Sequence, residues 1–160
     1  GNNTGTIAFS ATLKAKGANG GEDTVELKQA APVSGDGGTV EIDFSAKGYA
    51  NEVDVTTVTE SPLTLTFAKS TGNNPPKYYT FGTAVRMYAA NTLTITGATI
   101  TNVEYTMVDG YNNLIVTDGT YTGTTWTGSS SNLVFTSNPE QVGGKYVQTR
   151  IQKMTITYKK

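Results

Sequence analysis

Leu63-Thr64-Leu65-Thr66-Phe67 decides the fold class. Apolar and polar residues alternate with period two, and successive side chains of a strand point to opposite faces. This stretch therefore turns Leu63, Leu65 and Phe67 to a core and Thr64 and Thr66 away from it. The same period runs outward in both directions. It is found in Ile7, Phe9, Ala11 and Leu13, in Ile42 and Phe44, and in Val53 and Val55. Val85 and Met87 alternate with Arg86 and Tyr88, and Leu93 and Ile95 with Thr92, Thr94 and Thr96. Val103, Tyr105 and Met107 continue it, as do residues 114–116, 133–135 and 151–158.

Turn signals separate these runs, among them Gly35-Asp36-Gly37-Gly38, the stretch Thr71 to Pro76, Asp109-Gly110, Asp118-Gly119 and Gly143-Gly144. No window carries a helical period of 3.6. Threonine, at 29 of 160 residues, favours strands because its branched side chain loses rotamer freedom in a helix. The pattern predicts an all-β fold: a two-sheet antiparallel β-sandwich of jelly-roll type, with about 9 to 12 strands and at most one helical turn. Leu65, Phe67, Val85, Met87, Leu93, Ile95, Phe135 and Ile156 are the expected core. Residues 1–38 read as an N-terminal extension contributing extra strands (Thr6 to Lys14 and Thr24 to Lys28), and residues 39–160 as the β-sandwich module.

Composition removes whole classes of chemistry. The chain has no Cys and no His, so disulfide scaffolds, Cys/His zinc sites, His-ligated haem and His-dependent triads or dyads are excluded. Net charge is −1 with well-spread lysines, which argues against a nucleic-acid partner. No apolar run has the length of a membrane-spanning segment. The Thr/Asn/Gly-rich surface suits an extracytoplasmic protein, secreted or held at the outer surface as a lipoprotein whose anchor has been trimmed.

Pro76-Lys77-Tyr78-Tyr79, Gly82-Thr83-Ala84-Val85-Arg86-Met87-Tyr88, Asn91-Thr92-Leu93-Thr94-Ile95 and the final strand Arg150 to Tyr158 form a longer pattern. Over about residues 40–158 it resembles a β-sandwich accessory module of secreted and surface proteins of Bacteroides-type gut bacteria. The resemblance implies a jelly-roll domain attached to carbohydrate-active or adhesion proteins, next to other domains of a larger surface protein. It carries over no catalytic residue.

The residues themselves point first to glycan contact. Aromatic rings stack on the apolar face of a sugar, and amides and guanidinium groups bind its hydroxyls. The candidates are Tyr78, Tyr79, Arg86, Tyr88, Tyr111, Asn112, Asn113 and Trp126. Tyr78 and Tyr79 are adjacent, so an extended backbone leaves one of the two free. Arg86 and Tyr88, two apart, share a face and offer a donor fork beside a ring. Each also has a plain structural reading: rings in the core, Arg86 tied to an internal carboxylate, and Asn112-Asn113 as turn chemistry. Asp109, Asn112 and Asp118 are the best oxygen cluster for a structural calcium, although no EF-hand spacing exists. Glu52 and Asp54, two apart, are the nearest approach to a glycosidase carboxylate pair, with nothing around them to raise a pKa. The expected function is a non-catalytic, carbohydrate-binding accessory module. The alternatives are a structural or adhesion module without a small ligand, and a fragment of a glycan-active hydrolase.

Overall fold

Alternation becomes strand along most of the described residues. The structure is a computed structural model that describes residues 10–16, 22–28, 37–142 and 145–160. The chain divides into two compact units, 1–36 and 37–160. In the first, β1 (Ser10–Lys16) and β2 (Glu22–Lys28) pair antiparallel, with Leu13 opposite Val25 and Ala11 opposite Leu27. The expected start of β1, residues 6–9, lies outside the described residues.

The second unit opens with β3 (Gly38–Asp43) and a single 3-10 turn, Phe44–Lys47, capped by the Asp43 carboxylate on the Ser45 amide. The hairpin β4 (Thr57–Glu60) and β5 (Leu63–Ala68) follows, then the hairpin β6 (Lys77–Tyr79) and β7 (Ala84–Met87). Next come the long β8 (Thr92–Met107), short β9 (Leu114–Val116) and β10 (Thr120–Thr122), and long β11 (Thr125–Ser137). A two-residue pair, β12 (Gln141–Val142) with β13 (Lys145–Tyr146), precedes the closing strand β14 (Thr149–Lys159).

Ten of these strands form one antiparallel sheet curled into a half-barrel. The all-β expectation holds. The hydrogen bonds, however, join into one sheet what the alternation predicts as two. The cause is the length of β8 and β11, 16 and 13 residues, which run through both halves. The first part of β8 pairs with β5, and its last part with β14. The strand bends between them at Gly97, whose φ of 105° favours glycine and where a Cβ would strike the Pro62 carbonyl. Register shifts on β11 around Ser130 match this bend. A further bulge places Gln152 as an extra residue on β14, which is why Ile151 and Met154, three apart, both face inward.

The two halves close on one core. Phe44 meets Phe67 edge-on at 5.9 Å, and Phe135 meets Tyr105 at 5.3 Å. All eight expected core residues are buried, none more than 2% exposed. Residues 53–55 depart from expectation. Val55 is buried, but Val53 is 39% exposed, Asp54 makes only an isolated bridge to Lys77, and Glu52 sits in a turn with φ 63°. Glu52 and Asp54 therefore do not share a strand face. Among the described residues no helix is long and apolar enough to cross a membrane.

Candidate functional site

Two of the expected sugar-stacking rings belong to the core. Trp126 is fully buried, and its indole lies between Gly119 and Gly128, where a Cβ on either would come within 2.6 Å of the ring. Its Nε1–H donates to the Asp118 carbonyl at 2.6 Å. Tyr78 is 4% exposed and packs edge-on against Tyr49 at 5.6 Å. Strand β6 alternates, so Tyr78 turns inward and Tyr79 outward. Neither Trp126 nor Tyr78 has a face left for a ligand.

The Asp109 to Asn113 loop is largely occupied with holding itself. Asn112 donates from Nδ2 to the Gly123 carbonyl and accepts from the Tyr121 hydroxyl at 2.8 Å. Asn113 donates to the Asn138 and Val147 carbonyls at 3.3 and 3.1 Å. These amides are structural ties, as turn chemistry alone would have it. For calcium, the Asn112 amide oxygen already accepts one hydrogen bond, from the Tyr121 hydroxyl. Asp109 and Asp118 are the only acids of the expected cluster, and no group of three metal-binding acids gathers among the described residues.

Arg86, Tyr79 and Tyr88 do come together. The Arg86 guanidinium lies 3.6 Å from the centre of the Tyr79 ring, and the Tyr79 and Tyr88 hydroxyls are 2.9 Å apart. Burial, and then the hydrogen bond to Tyr79, push the Tyr88 phenol from 10 up to about 12, so it keeps its proton at neutral pH. Among the described residues no carboxylate reaches Arg86; the internal ion pair expected of a structural arginine is absent there. In register, Arg86 stands opposite Lys77 on β6 and opposite Arg150 on β14. Directly opposed residues of antiparallel strands share a face. Arg150 bonds through its own amide and carbonyl to Tyr111 and Val108, away from β7. The two arginines are therefore a non-hydrogen-bonded pair, with Cα atoms about 4.5 Å apart. Arg150 repeats the pattern of Arg86, lying 3.5 Å from the centre of the Tyr111 ring. Like charges so placed repel, and each cation–π contact offsets about 0.5–1 kcal/mol of that.

One step past the last paired residues of β7 and β14, Met87 and Thr149, stand Tyr88 and Gln148. Both line a cleft of about 340 Å³, whose other walls are residues 71–74, Ala89, Ala90 and Pro139. Buried Asn91 builds this cleft. Its Oδ1 accepts from the Tyr88 amide, and its Nδ2 donates to the Lys69 and Asn74 carbonyls at 3.0 and 2.9 Å. It thus ties the 69–74 loop to the turn after β7. Gly72 packs so closely that a Cβ would come within 2.6 Å of the Ala89 carbonyl. Ala90 is held at φ 65° and Ser70 at φ 52°, a left-handed conformation that non-glycine residues adopt at a cost.

Sequence reasoning selected Tyr79, Arg86, Tyr88 and Tyr111 and missed Arg150, Gln148, Asn73, Asn74 and Asn91. The signal for Arg150 was available: the chain has two arginines, and both lie in alternating strands. No family model, curated protein or solved structure matches the chain.

Proposed function

We propose that this chain is a non-catalytic, carbohydrate-binding accessory module of a secreted or cell-surface protein. The single observation that supports it is the cleft beside Tyr88 and Gln148, next to the stacked pairs Tyr79–Arg86 and Tyr111–Arg150. At about 340 Å³ it lies in the range of small-molecule sites, and its walls offer amides, hydroxyls and one ring, the groups that match a sugar's hydroxyls and apolar face. We read the two halves of the curled sheet, closed on one core, as the layers of a jelly roll. With the motif from Pro76 to Ile95, this favours the Bacteroides-type surface module, with extracytoplasmic location and neighbouring domains in a longer protein. Among the described residues no carboxylate lines the cleft, so the reading assigns binding and no hydrolysis.

The competing reading is a structural or adhesion module without a small ligand. It draws on the arginines already covering one face of Tyr79 and Tyr111. Affinity electrophoresis of the full chain through polysaccharide gels separates the two. The binding reading expects retention on at least one polymer. Gln148→Ala should weaken it about tenfold, by losing a hydrogen-bonding arm, with an unchanged melting temperature. No retention on any polymer overturns the binding reading.

A further inference from the structure

We infer that the paired arginines Arg86 and Arg150 make the site selective for acidic sugars, gripping the carboxylate of a uronic acid whose ring lies in the cleft. The inference rests on the glycan-binding reading and narrows its ligand.

The chain's only two arginines occupy one register position on neighbouring strands. A sheet places like charges directly opposite only at a cost, and an anion between them removes that cost. Stacking uses the flat face of each guanidinium and leaves its N–H donors pointing out in the ring plane. Arg150 spends Nε on the Gln148 side-chain oxygen at 3.1 Å, and among the described residues its two terminal nitrogens make no hydrogen bond and remain as a fork. Among the described residues Arg86 spends none of its donors on a side chain. Gln148 thus orients Arg150 and lines the cleft, joining the cation pair to the cavity. Lys77 extends the row to three cations, and Asp54, 3.5 Å away, balances it. Glu52 bears on Tyr88. With Lys77 paired to Asp54, the two arginines outweigh Glu52, so among the described residues this neighbourhood keeps an excess of positive charge. A planar guanidinium fork matches the two coplanar oxygens of a carboxylate, while the amide rim suits the remaining hydroxyls.

The test runs the full chain through gels containing polygalacturonate, dextran sulfate or neutral galactan, at low and high salt. The inference expects retention on polygalacturonate over galactan, weakened by salt. Arg86→Lys and Arg150→Lys keep the charge and lose the fork, and each should weaken polygalacturonate binding at least about tenfold without moving the melting temperature. Lysine variants that bind like the wild type overturn the fork. Preference for dextran sulfate overturns the carboxylate. Equal retention on galactan, insensitive to both arginines, overturns the inference and leaves the cleft as a neutral-sugar site. No retention on any polymer removes the glycan reading itself.

Discussion

Tyr88 holds its proton where an ordinary phenol begins to lose it. Burial and the Tyr79 hydroxyl raise it to about 12, so Tyr79→Phe should lower its titration midpoint toward 10 without reaching it, as followed by NMR of labelled tyrosine. Asp43 shifts the other way. The Lys153 ammonium and the Ser45 hydroxyl and amide hold its carboxyl down from 3.8 to about 2. A depressed carboxyl contributes stability that is present above pH 3.8 and is lost as pH falls through 2. Asp43→Asn should therefore melt below the wild type at pH 6, and the gap should narrow as pH falls from 3.8 toward 2 and vanish only below it. The phase of single residues was legible beforehand. Alternation set Tyr78 against Tyr79 and put Arg86 and Tyr88 on one face. The burial of Trp126 was not, because Gly119 and Gly128 come to its ring only through the β10–β11 turn.

At the scale of elements, Phe67 is the test of the core. It is 2% exposed and meets Phe44 of the 3-10 turn that follows β3, so Phe67→Ala should cost about 3–5 kcal/mol in chemical denaturation, from lost transfer energy plus a cavity. Gly72→Ala tests the cleft wall. Its Cβ would come within 2.6 Å of the Ala89 carbonyl and 2.7 Å of the Asn91 amide, so both must move, and Gly72→Ala should lower the melting temperature and weaken glycan retention. Strand positions were readable where apolar residues alternate, down to the three residues of β9. The strands β4 and β10, rich in threonine with a single large apolar residue each, and the irregular residues 53–55 were not, since one apolar side chain sets no period. The phase slip between Ile151 and Met154 was visible in the sequence as two apolar residues three apart. Its meaning, a bulge on β14, needed the partner strand. That β8 and β11 bend through both halves is a property of pairing, and no local pattern records it.

For the whole molecule, a net charge of −1 hides a local concentration of positive charge. Arg86 and Arg150 lie far apart in the chain and meet only because β14 closes the sheet beside β7. This is why the sequence points to Arg86 as a candidate and not to Arg150. It also gives the site a spectroscopic handle. With two arginines in the chain, a ¹⁵N spectrum carries two arginine Nε–H signals. Titrating the labelled full chain with a galacturonate oligomer tests the central claim most directly. The account predicts that both Nε–H signals shift and saturate together, with the Gln148 side-chain amide and the backbone of residues 71–74, while the neutral galactose oligomer moves the arginine signals far less. Arginine signals that stay fixed while galacturonate is added would contradict it.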